Sequence, residues 1–108
     1  MNVLSEQEFR VKSDDALESA RRALLPISDT EGFDVELQNG VLNLVFEEPR
    51  DARFVASPNA PVRQIWVSAM ARSYKLSWAP DLHAFALDAE TLPALLERLA
   101  RTFIESVS

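Results

Sequence analysis

The chain lacks cysteine and has only one histidine and two glycines among its 108 residues. Without cysteine, it can form no disulfide, thiolate metal site or cysteine nucleophile. The one histidine, His83, has no companion for a zinc site, and we expect it on a solvent-facing strand. No G-x-S-x-G motif accompanies it, and two glycines are too few for a phosphate-binding loop. We therefore expect a protein that is not an enzyme and has no catalytic residues.

Long apolar runs are also missing. No segment approaches the length of a membrane span, and residues 1–6 turn polar too early for a signal peptide. We expect a cytoplasmic protein with no membrane partner. A hydrophobic content of 47% and a charged content of 26% are typical of a globular protein, and we expect residues 1–108 to form a single domain.

Acidic residues are concentrated in the first half of the chain. Residues 1–48 hold 11 of the 17 acidic residues but only 4 of the 11 basic ones, whereas residues 49–108 carry a net charge of +1. Nucleic acid would be repelled by the acidic half, so we expect no nucleic-acid partner. The same charge favours cations or a basic protein surface as partners.

The first predicted helix begins with a capping box, in which Ser5 is the N-cap and Glu8 reaches back to the Ser5 amide. A narrow stripe of apolar or small side chains follows at helical spacing. The stripe comprises Phe9, Ser13, Ala16, Leu17, Ala20 and Leu24. Because proline cannot donate to the helical ladder, we expect Pro26 to end the helix and residues 27–32 to form a polar connector.

Strict alternation of apolar and polar residues predicts two strands, over residues 33–37 and 41–46. Asn39 and Gly40 between them favour a type I′ turn, so these strands are expected to form an antiparallel hairpin. A short strand is expected around residues 53–56.

Residues 63–68 predict a further strand, in which Ile65 and Val67 face the core. This places Trp66 on the open face of the sheet, beside the hydrogen-bonding side chain of Gln64. An outward tryptophan indicates either a binding surface or a position covered by a loop or chain terminus. Residues 57–61, which lead into this strand, are too rich in proline for regular structure.

Two more strands are predicted over residues 73–78 and 83–87, with Trp78 facing inward. A second helix follows Thr91 as its N-cap. Its expected buried stripe is Leu92, Leu95, Leu96, Leu99 and Phe103. Strands between two terminal helices predict an α+β two-layer sandwich, with an antiparallel sheet of five to six strands and both helices on one face.

Carboxylates are the only abundant metal ligands in this chain. Seven of them come from the first helix, the expected connector and the following strand, which could lie side by side. They are Asp14, Asp15, Glu18, Asp29, Glu31, Asp34 and Glu36. Carboxylate oxygens suit hard or borderline divalent cations, and without an enclosing cage the binding is expected to be weak.

These patterns together resemble the frataxin family, and more closely its bacterial CyaY-type branch. The resemblance begins with Glu8 and Phe9 in the first helix and continues through residues 34–46, where the hairpin lies. It is most specific in residues 61–68, which contain Gln-Ile-Trp after a proline loop, and it extends to residues 90–92. It covers essentially the whole chain.

The resemblance implies a frataxin-like α-β sandwich that binds Fe²⁺ or Fe³⁺ weakly at its surface. It also implies association with the cysteine desulfurase and the scaffold protein of iron–sulfur cluster assembly, as iron donor, regulator or both. Carried over by position, the family's acidic ridge corresponds to the seven carboxylates above, and its exposed sheet surface corresponds to Gln64 and Trp66. We expect a monomer, with an iron-dependent oligomer as the alternative.

Two features depart from the family pattern. Arg21 and Arg22 stand where many relatives continue the acidic run, and they can pair with Glu18, which should lower the capacity for metal. His83 stands near the position of a second sheet tryptophan in relatives. The partner surface is therefore expected to differ there.

Two other functions stay open from the residues alone. The first is a metal-independent adaptor, whose acidic residues merely complement a basic partner. The second is a ferroxidase, which is disfavoured because the chain lacks the Glu-x-x-His motifs of a buried di-iron site.

Overall fold

Two helices enclose a run of antiparallel strands in the computed structural model, which describes residues 4–106. The elements in chain order are α1 (Glu6–Glu31), β1 (Asp34–Gln38), β2 (Val41–Phe46), β3 (Ala52–Asn59), β4 (Gln64–Ala69), β5 (Arg72–Ala79), β6 (Ala84–Leu87), β7 (Glu90–Thr91) and α2 (Leu92–Glu105). The helices contact each other and cover one face of the sheet. The predicted α+β two-layer sandwich is confirmed.

The sheet is a meander, in which every strand pairs with its neighbours in sequence. It has seven strands rather than the expected five to six. The additional strand is β7, only two residues long, which pairs Thr91 with Ala86 and Glu90 with Leu87. So short a segment shows no alternation, and for this reason the pattern of apolar residues could not reveal it.

The start of α1 agrees with the sequence, but its end does not. The capping box at Ser5 is formed as predicted. The helix then continues through Pro26 to Glu31, so the expected helix end and the polar connector over residues 27–32 are wrong. Ser28 is buried against the core, and packing of this last turn offsets the hydrogen bond that Pro26 removes.

Gly32 ends α1 in the left-handed conformation, with φ of +83°. Its N–H donates to the Ser28 carbonyl at 2.8 Å, as in a helix C-terminus closed by glycine. The turn leaves Phe33 buried and starts β1 beside the last turn of the helix. This places the end of α1 next to the carboxylates of β1.

The core forms between the helices and the inward side of the sheet, as the periodicities predict. Phe46 is central to it, with its ring centroid 4.7 Å from that of Phe33 and 4.8 Å from those of Phe54 and Phe103. The buried stripe of α1 and the predicted stripe of the second helix both lie in this core. Trp78 packs against its edge.

The proline-rich segment is more ordered than expected. Residues 57–59 continue β3, and Ala60–Val62 form a 3₁₀ turn, so the prediction of irregular structure over residues 57–61 is wrong. Pro58 is tolerated because the pairing of β2 with β3 ends at Ala56, and Pro58 therefore has a neighbouring strand on one side only.

His83 is not on a strand. It is exposed, as expected, but it lies in the turn before β6 with φ of +49°. Between residues 4 and 106, no helix combines the length and the apolar character needed to cross a membrane.

Candidate functional site

The seven predicted metal-ligating carboxylates, here called the acidic face, come from two elements instead of three. Because α1 extends to Glu31, five of them lie on that helix. The remaining two, Asp34 and Glu36, lie on β1. β1 is an edge strand that pairs only with β2, so its outward carboxylates have no neighbour on one side.

Helix geometry divides the acidic face into two groups. Asp14, Asp15 and Glu18 lie within about one turn of each other, whereas Asp29 lies three turns beyond Glu18. At ~1.5 Å per residue, this separates Glu18 from Asp29 by roughly 16 Å along the axis. In residues 4–106, no three histidine, aspartate or glutamate side chains converge on a point where they could hold a metal ion.

Glu18 is the most engaged of these carboxylates. Its Oε1 accepts from Arg21 Nε at 2.9 Å, and its Oε2 accepts from Arg21 Nη2 at 2.6 Å and from Arg22 Nε at 3.0 Å. These hydrogen bonds, led by the pair with Arg21, lower the pKa of Glu18 from 4.5 to about 2. A cation would have to displace two guanidinium groups to bind here.

Glu31 has a longer contact, with its Oε2 3.8 Å from Arg101 Nη1 of α2. The other five carboxylates are exposed and form no ion pair within 4 Å in the described part of the chain. They are Asp14, Asp15, Asp29, Asp34 and Glu36. Within residues 4–106, these five carboxylates are therefore not neutralised by an ion pair.

Trp66 lies on the outer face of the sheet, as predicted, with 37% of its surface exposed. Its indole Nε1 donates to Gln64 Oε1 at 2.9 Å, and Gln64 Nε2 in turn donates to Ser77 Oγ at 3.2 Å. Lys75 Nζ lies 4.9 Å from the indole ring centroid. These contacts hold the indole in one orientation while one side remains open to solvent.

Lys75 and Ser77 were not identified from the sequence as part of this surface. Both lie on β5, directly opposite a predicted partner residue of β4, since Lys75 pairs with Trp66 and Ser77 pairs with Gln64. Their outward direction follows from the alternation in residues 73–78. The strand register, which the sequence does not reveal, determines which partner each one meets.

The register also joins the acidic face to the tryptophan. Glu36 pairs with Asn43, Asn43 with Val55, and Val55 with Ser68 on the Trp66 strand. Alternation places all four side chains, with Trp66, on the outer side of the sheet. Three strand spacings of ~4.8 Å separate β1 from β4, or roughly 14 Å. A single protein partner can contact both.

Comparison with known proteins gives a consistent result. Residues 2–106 match the model of the frataxin-like domain. The iron-sulfur cluster assembly protein CyaY of Pseudomonas fluorescens (strain SBW25) is 31% identical over 93 residues, which cover 82% of this chain and 83% of that protein. The protein of the same name from Pseudomonas putida (strain KT2440) is 28% identical over 100 residues, covering 89% and 86%.

Proposed function

Because this chain belongs to the frataxin family, in its bacterial CyaY-type branch, we propose that it is an accessory protein of iron–sulfur cluster assembly. In this proposal it binds iron weakly on the acidic face and docks on the cysteine desulfurase and scaffold protein. It acts as a monomer in the cytoplasm, as iron donor, as regulator of the desulfurase, or as both. It performs no catalysis of its own.

The observation that carries the proposal is the state of the acidic face. Five of its seven carboxylates are exposed and without an ion-pair partner in the described residues. Two of these five, Asp34 and Glu36, lie on the outer face of the sheet, which also carries the exposed Trp66. Charge and an aromatic anchor together favour recognition of a partner.

Weak binding suits iron as cargo. Carboxylate oxygens bind Fe²⁺ and Fe³⁺. Because no three ligands converge in residues 4–106, each bound ion would keep part of its hydration shell. An ion bound by one or two exposed carboxylates exchanges readily, which favours its transfer to a partner. Because Arg21 and Arg22 pair with Glu18, we expect iron to bind to the carboxylates that precede and follow Glu18 on the acidic face.

An anaerobic Fe²⁺ titration followed by amide NMR tests the iron proposal. We expect the strongest perturbations at residues 14–15 and 29–36, with little change along β4. Because the carboxylates are exposed, binding should weaken with salt, whose screening length is ~10 Å at 0.1 M. Perturbations centred on His83, with none at residues 29–36, would contradict the assignment.

The second candidate function is a metal-independent adaptor. The observation that favours it is the same lack of three converging ligands among residues 4–106, together with the neutralisation of Glu18 by two arginines. Metal-free protein separates the two functions. An adaptor would bind the cysteine desulfurase and change its activity equally well with or without Fe²⁺, whereas an iron donor would need the metal to support cluster formation.

A further inference from the structure

A cleft of about 340 Å³ lies between α1, the turn before β6 and the start of α2. Its volume falls within the roughly 300–1,000 Å³ typical of small-molecule sites. The cleft does not include Gln64 or Trp66, and of the acidic face only Asp15 reaches it. No part of the proposed iron or partner function uses its floor.

The floor of the cleft is apolar and partly aromatic. Trp78 and Phe85 meet edge to face, with ring centroids 5.3 Å apart and planes at 72°. Phe85 and Leu92 line the cleft but are almost wholly buried, so the floor belongs to a rigid part of the core. Such a floor suits an aromatic ring or a branched aliphatic side chain.

The rim carries one positive and one negative group on the same helix. Lys12 Nζ lies 5.1 Å from the Trp78 ring centroid, which holds the ammonium at the wall of the cleft. Asp15 follows three residues later and therefore lies on the same side of α1. Between residues 4 and 106 neither forms an ion pair within 4 Å.

Two hydroxyl groups complete the rim. Thr91 is the N-cap of α2, but its side chain makes no capping hydrogen bond. The Ser19 hydroxyl donates no hydrogen bond to a protein group in the described part of the chain. The cleft thus combines an apolar floor with uncommitted donors and acceptors of both charge signs. A purely anionic ligand would face Asp15, and a purely cationic one would face Lys12.

We propose that this cleft binds a small zwitterion with an apolar side chain, namely an α-amino acid with an aromatic or branched aliphatic side chain. Lys12 pairs with the ligand carboxylate and Asp15 with its ammonium, while the side chain rests on Trp78 and Phe85. The inference does not depend on iron binding. A ligand of this size is expected to bind with millimolar affinity.

The test is an NMR titration of the full-length, chelator-treated protein with L-phenylalanine. We expect saturable shifts at the Ser19 amide, the Trp78 indole and the His83 amide, and none at the Trp66 indole. Two analogues each lack one charge: 3-phenylpropionate has no ammonium, and phenethylamine has no carboxylate. Each should bind at least about fivefold more weakly than L-phenylalanine, since each leaves one rim charge without a partner.

Matched substitutions on α1 complete the experiment. Lys12→Met and Asp15→Asn should each weaken L-phenylalanine binding about fivefold. Arg10→Met and Asp14→Asn change the same charges on the same helix outside the cleft, and they should leave binding unaltered. Equal binding of all three compounds, equal affinity in the Lys12→Met variant, or no shifts in the millimolar range would each overturn the proposal.

Discussion

At the scale of single residues, neighbours decide what each exposed side chain can do. Glu18 and Asp34 have the same charge and both belong to the acidic face, yet Glu18 accepts hydrogen bonds from two arginines and Asp34 has no ion-pair partner among the described residues. Only 34% of the Glu18 side chain is exposed. Glu18 is therefore engaged mainly in structural ion pairs with Arg21 and Arg22. Asp34 is the better candidate to contact a partner or a cation.

This difference predicts a pH effect at Glu18. Its pKa is about 2 in the folded protein, below the ordinary value of 4.5, because the Arg21 and Arg22 guanidinium groups stabilise the charged form. Because the pKa is lowered in the folded state, the ion pairs of Glu18 stabilise the protein fully at pH values above 4.5. This stabilisation is lost as the pH falls towards 2. Urea melts of wild type and Glu18→Gln should thus differ at pH 6 and converge near pH 2.

Asp14→Asn is the matched control for this experiment, since Asp14 has no ion-pair partner in the described residues. It should change stability little at pH 6. A difference between wild type and Glu18→Gln that stays constant over the whole pH range would contradict the proposed role of the ion pairs.

The two tryptophans form a second test at this scale. Trp66→Ala removes an outward indole and its contact with Lys75, so the free energy of unfolding should fall by about 1 kcal/mol or less. Trp78→Ala removes an indole packed on Phe85 and should cost about 3 kcal/mol. Urea melts measure both values. The reverse order would mean that Trp66 is the structural residue.

The functional expectation is opposite to the structural one. Trp66→Ala should weaken binding to the cluster-assembly scaffold by about 2 kcal/mol or more, as for a central aromatic contact. It should leave Fe²⁺ binding unchanged, because an indole provides no metal ligand. Scaffold binding equal to wild type would argue against Trp66 as a partner contact.

At the scale of elements, the hairpin turns carry unequal backbone strain. Asn39 and Gly40 join β1 to β2 with φ of +54° and +74°, and these residue types adopt such angles readily. Met70 and Ala71 join β4 to β5 with φ of +51° and +64°. A side chain with a Cβ atom is strained in this conformation, by ~1–2 kcal/mol for alanine-like residues.

Ala71→Gly should therefore stabilise the protein. The strain energy that is relieved exceeds the free-energy cost of the greater conformational entropy of the unfolded chain. The free energy of unfolding is therefore expected to rise by about 0.5 kcal/mol. Thermal or urea unfolding measures it. Gly40→Ala is the converse control: a Cβ there would meet no atom within 4 Å, so its expected loss of similar size reflects backbone conformation alone. Stabilisation by both changes would rule out this explanation.

At the scale of the whole molecule, the net charge of −6 is distributed asymmetrically. The end of α1 and the edge strand β1 carry unpaired carboxylates, and the outer sheet face leads from them to Trp66 across uncharged side chains such as Asn43 and Ser68. A basic partner would be attracted first by the acidic edge and then contact the indole. This order predicts that charge governs the association rate.

Charge reversal at the acidic edge tests this mode of docking. Asp29→Lys combined with Asp34→Lys should leave stability nearly unchanged, within about 0.5 kcal/mol, because both residues are exposed. The same variant should bind a cysteine desulfurase much more weakly at low salt. Asp81→Lys with Glu105→Lys makes an equal change of charge at exposed positions elsewhere. If both variants bind alike, net charge alone is responsible.

Local sequence was sufficient for most of the fold. The capping box at Ser5, the turn at Asn39 and Gly40, the alternation that turns Trp66 outward and the stripe of α2 all depend on residues close together in the chain, and each is confirmed. The family resemblance also followed from such segments. Features of this kind can be recognised in a sequence because each needs particular residue types at a fixed short spacing.

Tertiary structure decided the features that depend on distant partners. Packing against the core carried α1 through Pro26, and pairing with β6 created β7. Strand register brought Glu36 and Trp66 onto one surface, and the approach of α1, the turn before β6 and α2 formed the cleft at Lys12. These outcomes depend on free energies gained between segments far apart in sequence, and no local pattern encodes which segments will meet.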